Sequence, residues 1–98
     1  MFSWTKKKDQ INKKKHGLYL SEITDVFDDP YLIEFYDKTH STVEEERYIC
    51  LGSWQDLMVL FVVFTEKDGE IHLITAREAT PKERHIYEEN YRKEIGGN

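Results

Sequence analysis

The run LMVLFVVF, Leu57 to Phe64, decides how the rest of the chain is read. It is apolar throughout and rich in valine and phenylalanine, which is the composition of a central strand buried on both faces. Working outward, Asp68-Gly69 is a hairpin turn signal, and Ile71 to Arg77 should pair back as the next strand. On the other side, Arg47 to Leu51 and Tyr31 to Tyr36 are further strand candidates. Thr80-Pro81-Lys82-Glu83 follows, with a capping threonine, proline at the first helical position and glutamate at the third, so a capping box opens the last helix. That helix should run to about Ile95, carry Tyr87, Tyr91 and Ile95 on one stripe, and stop at Gly96-Gly97.

Before the strands, Phe2 to Trp4 reads as a short strand or an anchor. Lys6 to His16 reads as a helix that Gly17 ends in a left-handed conformation. This helix is polar nearly all round, with Ile11 as its main apolar contact. Ser21 is a suitable N-cap for a second helix bearing Ile23, Val26 and Phe27, which Asp28-Asp29-Pro30 must end. Consecutive strands with short links favour antiparallel pairing. The expectation is an α+β fold, with an antiparallel four- to five-stranded sheet, two N-terminal helices and one C-terminal helix, in one domain over residues 1–98.

A hydrophobic share of 39% is too high for disorder, and no apolar run approaches the ~18 residues of a membrane span. The single Cys50 excludes an internal disulfide and suits a reducing cytoplasm. Net charge is −5, unevenly spread: residues 1–16 hold six lysines against Asp9, and the remainder holds eight basic and eighteen acidic side chains. The overall field does not attract nucleic acid, but a local basic patch still can. The plainer reading of the lysines is a solvated helix face.

Arg47 begins one strand and Arg77 ends another. Two guanidiniums meeting at a sheet end would clamp a phosphate, because each presents a planar fork of donors. The alternative is that each pairs with a neighbouring acid, Glu46 or Glu78. His40 is a candidate acid or base by its ordinary pKa, or simply caps the loop beside Ser41. Glu46 could take a proton or orient Arg47, while Glu44 and Glu45 read as solvated. His16 follows three lysines at a helix end, where the dipole favours a cation. The four histidines lack ligand spacing with one another or with Cys50, so no structural zinc site is expected. No Gly-rich phosphate loop, Ser-His-Asp order or CxxC occurs.

These scattered signals occur together in one family. FSW (Phe2 to Trp4), Asn12, KHG (Lys15 to Gly17), VFDDP (Val26 to Pro30), Asp37, HS (His40-Ser41), EERY (Glu45 to Tyr48), Gly52, TE (Thr65-Glu66), TAREAT (Thr75 to Thr80), Glu83-Arg84 and Tyr87 resemble BrnT in order and spacing. BrnT is the toxin of a type II toxin–antitoxin system. The resemblance implies a RelE/ParE-like fold and a metal-independent endoribonuclease without cofactors that cuts RNA and stops translation in the cytoplasm. It also implies a BrnA-like antitoxin with a ribbon-helix-helix part, through which alone the complex would meet operator DNA. Carried over residue by residue, Arg77 and Arg47 would clamp the scissile phosphate. Lys14, Lys15 or His16 would neutralise the flanking backbone, and His40 or Glu46 would accept or relay the proton. The chain departs from the family at Thr5, where Asp is common, and in its acidic balance. Two other readings stay open: a catalytically weak antitoxin-binding protein, and a nucleic-acid-binding domain that uses the Lys6 to Lys15 helix without catalysis.

Overall fold

The computed structural model describes residues 1–96. The apolar run becomes β4 (Met58–Lys67), the middle of a five-stranded sheet. Its neighbours are β3 (Arg47–Trp54) and β5 (Glu70–Glu78), with β2 (Ile33–Tyr36) beyond β3 and β1 (Phe2–Ser3) beyond β5. Strands β2 to β5 pair antiparallel in chain order, as short links require. Strand β1 runs parallel to β5, so the sheet is mixed and not purely antiparallel as expected. A strand that reaches its neighbour through a helix and three other strands is free of the hairpin constraint.

One face of the sheet holds the core. Leu60, Val62 and Phe64 of β4 are 0–1% exposed and lie with Cys50 and Trp54 of β3 and Leu73 and Ala76 of β5. Alternation along β3 and β4 puts these side chains together, and an irregularity in the β4–β5 register at Val63/Phe64, which leaves Ile74 without an opposite residue, lets Leu73 and Ala76 share the face despite their opposite parity. Above them sit Leu18, Leu20, Ile23 and Val26. A row of aromatic rings, Phe2, Phe27, Phe64, Tyr48 and Tyr36, crosses this face at centroid spacings of 5.2 to 5.8 Å. Gly52 is required here: a Cβ on it would lie 2.9 Å from Val26 Cγ2 and 3.3 Å from the Val26 carbonyl oxygen.

The first helix, α1 (Lys6–His16), has the expected end, with Gly17 at φ 79° and its N–H donating to the Lys13 carbonyl. Thr5 accepts from the Lys8 N–H at 3.1 Å. It thus does the capping that an Asp would do at that position. The expected second helix is replaced by two 3-10 turns, Leu20–Glu22 and Thr24–Asp28. Ser21 does not cap it, because its N–H and hydroxyl are taken by the Asp9 carboxylate at 3.1 and 3.3 Å. The short stretch before Asp28-Asp29-Pro30, with β-branched Ile23, Thr24 and Val26, is too brief for a stable α-helix.

The last helix, α2 (Pro81–Gly96), begins with the expected box. The Glu83 N–H donates to Thr80 Oγ1 at 3.2 Å, and the Thr80 N–H to Glu83 Oε1 at 2.9 Å. Gly96 still belongs to the helix, and Gly97 lies outside the described residues. Asp29 ties α2 down. Its carboxylate accepts from the Tyr31 N–H, the Ser53 N–H and, at 2.6 Å, the Tyr87 hydroxyl.

Candidate functional site

The second face of the sheet carries the other parity: Arg47, Ile49 and Leu51 on β3, Phe61, Val63 and Thr65 on β4, Thr75 and Arg77 on β5. Helix α1 borders this face along β5. Strand β1 pairs only with Ile71 and His72, so β5 has no strand beside it at Ala76. Asn12 takes that place. Its Nδ2 donates to the carbonyls of Ala76 and Leu18, both at 2.8 Å, and its Oδ1 accepts from the Ala76 N–H and Thr75 Oγ1, both at 3.0 Å. Buried Asn12, and not the half-exposed Ile11, is therefore what docks the lysine helix. Positions on the same side of α1, Lys8, Ile11, Lys15 and His16, line a depression of about 240 Å³ with Ile74 and Thr75. Lys14 is not among its lining residues.

Arg77 stands at this border. It pairs across the sheet with Phe61, and its guanidinium carbon lies 3.9 Å from that ring's centroid. Nη1 and Nη2 donate to the two carboxylate oxygens of Glu83 at 2.8 and 3.0 Å, and Nη1 also donates to the Glu78 carbonyl. Of the five guanidinium protons, three are thus engaged. The Nε–H and one Nη2–H, the side-on fork that fits a phosphate, have no partner among the described residues. Glu83 both caps α2 and fixes Arg77, and the Arg77 hydrogen bonds hold its carboxyl below the usual carboxylate range. His16 is not the dipole-favoured cation expected from its place at a helix end. Partial burial lowers its pKa, helped by the positive charges of Lys15 and Arg77, so the ring is neutral at pH 7.

Arg47 lies at the other end of the face. It pairs with Thr65, four residues along β4 from the Phe61 opposite Arg77. At ~3.3 Å per residue and ~4.8 Å per strand, the two arginine backbones are about 16 Å apart. The expected clamp of both arginines on one phosphate is not formed. Arg47 Nε instead donates to Glu45 Oε1 at 3.0 Å. The expected partner, Glu46, has the opposite parity and accepts from the Tyr48 hydroxyl at 3.1 Å. Glu45, expected in solvent, is the working partner. His40 is mostly exposed, with Nδ1 3.0 Å from buried Asp37, while Ser41 bonds the Arg47 backbone through both N–H and carbonyl. The loop His40 to Glu46 thus closes the β2–β3 end, away from Arg77.

Sequence reasoning noted Asn12 and Asp37 without assigning them a role, and gave Glu83 only its capping role. The legible sign was an uncharged amide in a lysine-rich helix, and a capping glutamate six residues after an arginine. Cys50 is buried with its thiol pushed up to about 12, so it is no nucleophile at neutral pH. Among the described residues, no group of three or more His, Cys, Asp or Glu side chains is placed to hold a metal ion, and no helix is long and apolar enough to cross a membrane.

Comparison with known proteins brings the fold and this face together. The crystal structure of the Brucella abortus ribonuclease toxin BrnT superposes with a TM-score of 0.67 at 24% sequence identity, over 82% of this chain and 97% of that one. No curated protein matches. The family described as "Ribonuclease toxin, BrnT, of type II toxin-antitoxin system" matches residues 4–83, which include α1, the whole sheet from β2 to β5 and the Arg77–Glu83 pair. The chain therefore belongs to the BrnT family of type II toxins.

Proposed function

We propose that this chain is a RelE-type endoribonuclease of the cytoplasm that cuts RNA without a metal ion, stops translation, and is neutralised by a BrnA-like antitoxin. The observation that carries this reading is the free side-on fork of Arg77, fixed in place by Glu83 and Phe61 beside Lys15 and a neutral His16. In such cleavage the 2′-hydroxyl attacks the adjacent phosphorus as its proton is removed, the bond from phosphorus to the 5′ oxygen breaks, and that oxygen takes a proton from water, leaving a 2′,3′-cyclic phosphate and a 5′-hydroxyl. Arg77 binds the phosphate through two donors and stabilises the charge that grows on it, a contribution worth a few kcal/mol when donors are preoriented. His16, uncharged at neutral pH, accepts the 2′-hydroxyl proton, a role worth roughly 10²–10⁴ in rate. Lys15 neutralises the flanking backbone. Glu83 is a positioning residue. Arg47, with Glu45 beside it, meets a different phosphate of the same strand, and His40 and Glu46 belong to that distant end.

Regulated expression tests this. Wild type should arrest growth, and Arg77→Ala should restore it while antitoxin binding persists. Equal toxicity of the two removes Arg77 from the chemistry. Cleavage by purified protein should survive a chelator. A wild type that binds the antitoxin yet neither arrests growth nor cuts RNA returns the binding-only reading.

A further inference from the structure

We propose that the outer border of β2 is the docking site for a basic, extended segment of the antitoxin, which adds to the sheet as a sixth strand. The proposal rests on the toxin reading for the existence of a protein partner, and on the structure for the place and chemistry of contact. Strand β2 ends the sheet, with no strand on its far side among the described residues. The Asp37 N–H donates to the Arg47 carbonyl, which sets the phase: Ile33, Phe35 and Asp37 bond inward to β3, and Glu34 and Tyr36 point their backbone groups outward. The Leu32 N–H and Tyr36 carbonyl are used locally, by Asp29 and Lys38. The Glu34 N–H and carbonyl and the Tyr36 N–H remain as a short, ready template.

Side chains mark the same border. Phe35 is 41% exposed and Tyr36 52%, and as strand neighbours they stand on opposite faces of the bare backbone. Charge then selects the occupant. Residues 17–46, which form β2 with the turns before it and the loop after it, hold nine carboxylates against Lys38. RNA is repelled. A second copy would bring an equally acidic border against this one. A polypeptide whose lysines or arginines alternate with apolar residues fits both the field and the pleat.

The test uses the full chain and the protein encoded beside it, in amide hydrogen exchange. On complex formation the Glu34 and Tyr36 amides should slow by about 100-fold or more, while Phe35, already bonded inward, changes little. Glu34→Pro, which removes an outward donor and no sheet bond, should weaken the complex about 100-fold with little change in melting temperature. Glu34→Lys with Glu44→Lys keeps the backbone template and should weaken it roughly tenfold. Unchanged exchange at Glu34 and Tyr36 in a formed complex overturns the proposal, as does a complex indifferent to both variants. The same protection in the isolated chain at high concentration, with dimer formation, assigns the border to a second copy and also overturns it. Growth arrest by the free chain reports on the nuclease reading separately, since β2 lies outside the Arg77 border.

Discussion

Asn12 does with a side chain what a neighbouring strand would do with its backbone: it gives and accepts one hydrogen bond at Ala76. Asn12→Ala leaves both groups of Ala76 without a partner in a buried position. Urea unfolding should show a loss of roughly 2–4 kcal/mol, and a loss under 0.5 kcal/mol would mean that solvent replaces the amide. Glu83 makes a prediction about pH. Its folded pKa is depressed by Arg77, so the stability it contributes is complete above its unfolded value near 4.5 and is lost as pH falls through the folded value. The melting-temperature gap between wild type and Glu83→Gln should therefore narrow steadily below pH 4.5, and a gap that holds to pH 2 would rule out the ionised pair. At this scale the capping box was readable from sequence, because it depends on near neighbours. The partners of the arginines were not: Arg77 meets the carboxylate of Glu83 and not that of Glu78, and Arg47 meets Glu45 and not Glu46. Glu45 and Glu46 differ by one step, and one step in a strand reverses the face, so the choice waits on a register that local sequence does not contain.

At the scale of elements, the hairpin between β3 and β4 is the clearest case of strain. Gln55 and Asp56 both take left-handed conformations, at φ 53° and 55°, around a Leu57 N–H to Trp54 carbonyl bond of 3.0 Å. Such conformations cost non-glycine residues roughly 1–2 kcal/mol each. Replacing Gln55-Asp56 by Asn-Gly, the pair suited to this turn, should raise stability by about 1 kcal/mol in the same urea assay. No gain would place the strain elsewhere. The missing glycine also explains why the extension of β3 to Trp54 was not legible, whereas Asp68-Gly69 announced its own turn. The second N-terminal helix failed for a related reason: apolar spacing was right, but the residues that would have built it were committed to Asp9 and to the proline stop.

For the whole molecule, the antiparallel meander followed from local signals, while the parallel pairing of Phe2 and Ser3 with Ile71 and His72 joins residues 69 positions apart and left no local trace. Charge is arranged by border: the lysine helix lies along β5, and carboxylates gather around β2 and its loop. RNA held by Arg77, Lys15 and Arg47 alone should show a log–log salt slope of about −2, at ~0.7 per phosphate on a single strand. A slope near −4 or steeper would bring the whole helix into contact. The cover on β5 has a further consequence. A sheet with one closed border can gain a neighbour on only one side, and growth stops there. If the first sixteen residues were cleaved or frayed, both borders would be bare at once, and each molecule would become a link that can be propagated head to tail into a fibre.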